Sequence, residues 1–371
     1  MHLGVARHSL MKVLYVNGKF LAQPITGVQR FAMEVVKAWD NALESGYIDR
    51  TRYRIRILAP RTHLSLPQYR HLEIVGSRLS GKIWEQLYLP YRTAGQLLFS
   101  PYATAPIFKR RHIVTIHDAG VAATPGQYSF AFRTYNKLVY WALGIAAEKV
   151  ITVSEFSKNE LHRYFAIPLE KMQVARQGYE QILSVQPDSG ILTKNGLRSK
   201  EFVLAVSSRS PIKNFDTLAA AWKLMKRPDM KLAVAGGYNR RIFGKEVEHN
   251  YGDGVTFLGY VSDAELRCLY ENAACFVYPS SYEGFGLPPL EAMACGCPVI
   301  VSDTSALPET CGYGALYCNP LDVQDIALKI ATLLDDPELS MELRAKGKQR
   351  IQEFSYRSCA EAIWLTVSQH I

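Results

Sequence analysis

The sequence has no uninterrupted apolar run of the ~18 residues that a membrane-spanning helix requires. Its first ten residues carry His2, Arg7 and His8 but no apolar stretch resembling a secretory signal. Residues 1–10 therefore read as a disordered lead-in, with Met11 and Lys12 just ahead of the first strand. A cytoplasmic location is expected, which leaves peripheral attachment to the inner face of a plasma membrane open. Cysteine is absent from the first 267 residues, and all seven cysteines follow. An odd number confined to part of a long chain does not match a secreted disulfide framework. Cys295-Gly296-Cys297 has neither a second closely spaced pair nor a neighbouring histidine to complete a metal site. Buried, reduced thiols are expected instead. Also missing are an Asp-x-Asp metal motif, an internal repeat, a low-complexity tract, and the interleaving of basic and aromatic residues that would support nucleic-acid binding.

At 48% apolar and 21% charged residues, the composition is that of a folded protein. Its 371 residues exceed the length at which one hydrophobic core stops growing, so two domains are expected. Lys plus Arg number 43 against 34 Asp plus Glu, a formal charge of +9 that favours an anionic partner. Two basic clusters lie in the first half: Arg50, Arg52, Arg54, Arg56 and Arg61, and then Lys109, Arg110, Arg111 and His112. The plain reading is a wet strand edge and a solvated loop. The alternative is a surface facing a membrane or an acceptor's phosphate.

Short apolar runs alternate with helical periodicity along the whole chain. Strands are predicted at 13–16, 53–58, 72–75, 96–99, 113–116, 149–153 and 170–175, with helices at 28–39, 82–88, 130–146 and from 155. The stretch 178–199 is polar and rich in Gly, Ser, Gln and Pro, the signature of a linker. A second alternating series follows, with strands at 202–206, 231–235, 255–258, 275–278 and 298–301. Its helices fall at 215–225, 263–271, 288–294 and 322–333, and two more close the chain. This is an α/β pattern of parallel sheets covered on both faces. The expected division is an N-terminal domain over 11–185, a linker over 186–200, a C-terminal domain over 201–352, and a last helix over 353–371 returning to the first domain.

The segment from Pro279 to Glu291 leaves an apolar strand, turns at Gly284 and Gly286, and enters a helix opened by Pro288. Free amides at Phe285, Gly286 and Leu287 suit an anion, and glycine admits close backbone approach. Glu283 could accept sugar hydroxyls and Glu291 could hold a ribose diol. On spacing alone, Glu291 is equally well a carboxylate favoured by the helix dipole.

Glu283 and Glu291, separated by seven residues, stand inside Glu-Gly-Phe-Gly-Leu-Pro and Glu-Ala-Met-Ala-x-Gly-x-Pro-Val-Ile. This arrangement resembles glycosyltransferase family 4, the retaining enzymes of GT-B fold. The likeness extends from Gly27-Val28-Gln29-Arg30 to the terminal helix after Phe354-Ser355-Tyr356. It implies two Rossmann-like α/β/α domains facing each other across a cleft. It also implies transfer of a hexosyl group from a nucleotide sugar, without a metal or other cofactor. By the same resemblance, Glu283 lies near the donor sugar and Glu291 at the ribose, with Gly284, Phe285, Gly286 and Leu287 around the diphosphate. Lys213, in Arg209-Ser210-Pro211-Ile212-Lys213-Asn214, resembles the phosphate-binding lysine. The family often has an arginine five or six residues before it, where this chain has Ser208 and Ser207. Arg209 is the nearest replacement.

His117, ending the strand Thr115-Ile116, is implied at the reaction centre, with Asp118 orienting it or the acceptor. Gly27 resembles the glycine that lets the backbone approach the diphosphate. The stretch 154–158 reads as capping and packing. Trp84-Glu85-Gln86 and Leu89-Pro90 match a pattern frequent in bacterial surface-polysaccharide members. By overall likeness to mannosyl and rhamnosyl transferases of polysaccharide assembly, the donor is GDP-mannose first, with dTDP-rhamnose or a UDP-sugar next. The acceptor would be lipid-linked or an oligosaccharide, with contact to an anionic membrane through the basic stretches. A hydrolase or epimerase of nucleotide sugars would share the cleft, as would a catalytically silent scaffold.

Overall fold

The computed structural model describes residues 11–102, 105–207, 211–236 and 254–371. The apolar runs of the first half become β1 (Lys12–Asn17), β2 (Tyr53–Ala59), β3 (Glu73–Gly76), β4 (Leu97–Ser100), β5 (His112–Thr115), β6 (Lys149–Thr152) and β7 (Met172–Val174). They pair in parallel in the order β3-β2-β1-β4-β5-β6-β7. A second parallel sheet, β10-β9-β8-β11-β12-β13, is built from β8 (Phe202–Val206), β9 (Lys231–Ala235), β10 (Val255–Gly259), β11 (Cys275–Tyr278), β12 (Val299–Ser302) and β13 (Ala315–Cys318). The inner strands β4, β5, β11 and β12 are buried along their whole length, as strands covered on both faces must be.

The helices that matter for the site are α1 (Gly27–Glu44), α2 (Phe130–Ala146), α3 (Glu155–Phe165), α4 (Phe215–Met225), α5 (Asp263–Asn272), α6 (Leu287–Ala294), α7 (Leu307–Cys311), α8 (Val323–Asp335) and α9 (Tyr356–His370). Helix α1 buries Phe31, Val35 and Trp39 at helical spacing. Helix α9 packs against it, where the Trp39 indole donates to the Ala360 carbonyl at 2.9 Å and meets Trp364 edge-on at 5.8 Å.

Both sheets reverse their strand order once, between β1 and β4 and between β8 and β11. The loops leaving such adjacent strands diverge and open a crevice at their carboxyl ends.

The polar stretch 178–199 contains two helical turns, Glu180–Leu183 and Gly190–Lys194, which bury Ile182 and Ile191. Tertiary bonds pin it to α5, including the Arg267 guanidinium on the carbonyls of Leu183 and Val185. Of the basic clusters, Arg56, Lys109 and His112 are engaged or buried by the fold, while Arg50, Arg52, Arg54, Arg61, Arg110 and Arg111 are exposed. Arg54 is level with Val13 at the amino end of the parallel strands, away from the crevice, and Arg56 pairs with Glu73 at 2.8 Å. Lys109 is buried and donates to the carbonyls of Thr93 and Gln96, both at 2.7 Å, while His112 is buried in β5. The seven cysteines are free thiols, six of them buried.

Candidate active site

An open cleft of about 490 Å³ lies between the two sheets' carboxyl ends. Its walls include Gly27, His117 and Asp118 from the first half, and Lys213, Glu283, Gly284, Phe285, Gly286, Leu287 and Glu291 from the second. Residues implied by separate motifs are thus brought together. Arg209 lies outside the described residues.

Lys213 follows β8 and Glu283 follows β11, the two strands at the switch point. Their ammonium and carboxylate meet at 2.6 Å. Lys213 also bonds the Tyr278 hydroxyl and sits 4.8 Å from the centre of that ring. Burial alone would lower its pKa, but Glu283 and Tyr278 hold the ammonium above its ordinary value. The cation is therefore permanent in the working pH range.

The loop 283–287 is fixed from behind. The Glu283 carbonyl accepts from Ala306 at 3.2 Å and the Phe285 carbonyl from the Thr310 hydroxyl at 2.6 Å. The Gly284 carbonyl accepts from the hydroxyls of Ser154 and Ser157 at 2.6 and 2.9 Å, across the interdomain boundary. These bonds, with the Glu283 amide donating to the Ser305 hydroxyl at 3.0 Å, hold the loop in place at the cleft wall. Pro288 and Pro289 contribute no amide donor to the first turn of α6.

The two glycines of this loop serve packing. A Cβ on Gly284 would lie 2.7 Å from the Asp118 Cβ and 3.2 Å from the His117 carbonyl. Gly286 has φ +108°, and its Cβ would strike Leu307 at 2.6 Å. Gly27 differs: its φ is ordinary and a Cβ there would meet nothing within 4 Å. Neither backbone geometry nor packing within the protein asks for glycine at that wall of the cleft.

His117 sits edge-on to Phe31 at 4.8 Å, with its Nε2 buried and unpartnered among the described residues. Burial lowers its pKa to about 4, against a small opposing effect of a bond to the Pro101 backbone. The imidazole is neutral near pH 7. The Asp118 carboxylate accepts from the Gly120 amide at 2.7 Å, and burial raises its pKa. Glu291 accepts from the Gln181 side-chain amide at 2.6 Å, and burial raises its pKa to about 7.

Several contributors had no assigned role in the sequence. Arg30, one turn into α1, spans the cleft to Asp263 at 2.8 Å and lowers the Glu291 pKa. Glu309 on α7 accepts from the amides of Glu155 and Phe156, both at 3.0 Å, and so caps α3 from the opposite domain. Arg30 stands inside the Gly27 loop motif and was findable there. Glu309 had no local signal, because its partners are 153 and 154 residues away.

Among the described residues, no group of three or more His, Cys, Asp or Glu could hold a metal ion, and no helix is long and apolar enough to cross a membrane. Residues 191–350 match the family described as glycosyl transferases group 1. The chain is similar to O-antigen chain mannosyltransferase B of Escherichia coli, with 28% identity covering 94% of this chain and 97% of the relative. Its fold is similar to that of sucrose-phosphate synthase from Thermosynechococcus elongatus, with a TM-score of 0.73 and 22% identity over 97% and 98% of the two chains. The Anabaena protein HepE, solved with UDP-glucose, has a TM-score of 0.70 and 19% identity over 97% of this chain and 100% of its own. Two parallel α/β sheets facing each other across a shared cleft, with those likenesses, make the chain a glycosyltransferase of GT-B fold related to bacterial O-antigen chain mannosyltransferases.

Proposed function

We propose that the chain transfers a hexosyl group, mannosyl first, from a nucleotide sugar to a hydroxyl of a lipid-linked or saccharide acceptor, with retention at the anomeric carbon. The observation that carries this reading is the Lys213–Glu283 pair facing His117 and Asp118 across one cleft. GDP-mannose is the favoured donor, by the likeness to the Escherichia coli mannosyltransferase. dTDP-rhamnose and a UDP-sugar follow, and the UDP-glucose complex of HepE supports the general donor class.

In this reading the departing diphosphate gains negative charge, and Lys213 with the amides of 285–287 stabilises it without a metal. Glu283 holds the sugar hydroxyls once Lys213 turns to the phosphate. Glu291 takes the ribose diol. The open wall at Gly27 admits the diphosphate. The neutral His117 offers its unpartnered Nε2 to a donor hydroxyl, and Asp118 sits at the acceptor side. Retention follows a front-face route in which the leaving phosphate takes the acceptor's proton. Polysaccharide assembly at the inner membrane face is the setting that fits a lipid-linked acceptor.

A thermal-shift panel of GDP-, UDP- and dTDP-sugars tests the donor assignment, because a ligand bound only by the native state raises apparent stability. A GDP-mannose shift larger than all others is expected. A larger shift with another base would overturn the mannosyl assignment, and no shift with any of them would overturn the cleft as a donor site.

A further inference from the structure

Helix α2 buries only Val139, Leu143 and Gly144 although its sequence is rich in large apolar residues. Leu138, Trp141 and Ile145 form a second stripe that faces outward. The helical segment 81–92 does the same with Ile83, Leu87 and Tyr91. These six side chains are between 55% and 79% exposed. The two stripes are neighbours, since Lys82 bonds the Tyr135 hydroxyl and lies 4.4 Å from that ring's centre. Gln86 bonds the Ala105 carbonyl and the Ile107 amide, at 3.0 and 3.1 Å, which brings the exposed Phe108 alongside. Apolar surface gathered in this way marks an interaction face.

Charge identifies what covers it. Residues 74–147 contain eight Lys and Arg but only two acids, Glu85 and Asp118. Glu85 is buried against Lys19, and Asp118 lines the cleft. The outward face is therefore apolar and cationic, with Lys82, Arg92, Arg110 and Lys137 all exposed. A second copy of this chain, apposed by a two-fold axis, would bring these cations together with no acids between them. A lipid surface of negative charge satisfies both features at once.

We propose that this face, formed by 81–92, α2 and the Phe108 loop, docks on an anionic bilayer with its apolar side chains at the headgroup boundary. The docking surface is thus the helical side of the first domain; the arginine-bearing strand β2 is not part of it. The amino end of α2 points to the cleft. There Tyr128 stacks on Phe132 at 5.5 Å, and a Cβ on Gly120 would lie 3.4 Å from the Tyr128 hydroxyl and 2.9 Å from Asp118. Docking so oriented sets the cleft mouth beside the lipid surface. Only that last point rests on the lipid-linked acceptor proposed above.

Trp141 is a built-in reporter, since the other four tryptophans are at most 5% exposed. The full chain would be mixed with vesicles of phosphatidylcholine, alone or with phosphatidylglycerol, some carrying brominated tails, at low and high salt. Binding to anionic vesicles only, with quenching of tryptophan fluorescence and loss of binding at high salt, is expected. The triple variant Ile83→Ser, Leu87→Ser, Leu138→Ser should bind roughly tenfold more weakly or worse, whereas Arg52→Ser with Arg54→Ser should bind as the parent. Nucleotide-sugar thermal shifts should be unchanged in both variants, which separates this face from the donor site. Equal binding by the triple variant, no binding of the parent to anionic vesicles, or a dimer that the triple variant dissociates would each overturn the proposal.

Discussion

The Lys213 ammonium stands 2.6 Å from the Glu283 carboxylate, each in the segment that follows a strand bordering the reversal of the second sheet. The pair neutralises itself in a half-buried setting and presents two groups of opposite sign to a ligand that has both a diphosphate and a polyol. In the proposed reaction a nucleotide sugar separates them, drawing the cation to its phosphates and the carboxylate to its hydroxyls.

Glu283→Gln is expected to keep a hydrogen bond to Lys213 and lose the charge. Turnover should fall by roughly 100-fold or more, while stability changes by no more than about 1–3 kcal/mol. Steady-state kinetics beside thermal melts separate the two effects. A large loss of melting temperature with little loss of turnover per folded molecule would count against a functional carboxylate.

Gly27→Ala has room for its methyl group and removes a poor helix former from the first turn of α1. Stability should hold or rise by up to about 1 kcal/mol. If the open wall serves the diphosphate, donor affinity drops at the same time, which calorimetric titration with a nucleoside diphosphate would detect. Unchanged affinity would remove Gly27 from the site.

Glu291 makes a pH-dependent prediction. Its folded pKa of about 7 lies above the ordinary 4.5, so the folded chain binds the proton more tightly than the unfolded one. Stability from this group is complete below pH 4.5 and is lost as pH rises toward and through 7. Relative to Glu291→Gln, the parent should lose roughly 2–3 kcal/mol between pH 5 and pH 8. Parallel stability profiles of the two proteins, measured by urea unfolding, would contradict this.

Glu309→Ala removes the carboxylate that caps α3 from across the cleft. A loss of roughly 1–2 kcal/mol is expected. Because the cap joins the two domains, KM for the donor should rise more than kcat falls. A parent-like KM together with parent-like stability would place Glu309 outside the interdomain contact.

Much of the fold was legible because Val-, Ile- and Leu-rich runs bounded by Gly, Pro and Ser mark buried parallel strands. The short strand β13, Ala315–Cys318, was not, since four residues between turns carry too little pattern. The helical turn at 180–183 is bonded to α5 through Arg267, and the one at 190–194 follows the Asp188 amide bonded to the Ala264 carbonyl at 3.0 Å, contacts that no local propensity reports. Helix α2 was legible as a helix, but it is apolar on two sides, and periodicity cannot tell which side the protein buries.

The candidate site was legible through its motifs, while its causes were not. Gly284 reads as a phosphate glycine, yet its backbone is pressed against Asp118 of the other domain. That constraint, like the Glu309 cap, exists only once the two domains meet.

The most direct measurement is NMR of the anomeric signals of the product formed from GDP-mannose and an acceptor saccharide, with a chelator present throughout. The proposed reaction predicts a glycoside with the donor's own anomeric configuration, formed in step with release of GDP. An inverted product, free mannose alone, or no product until a divalent metal is restored would contradict it.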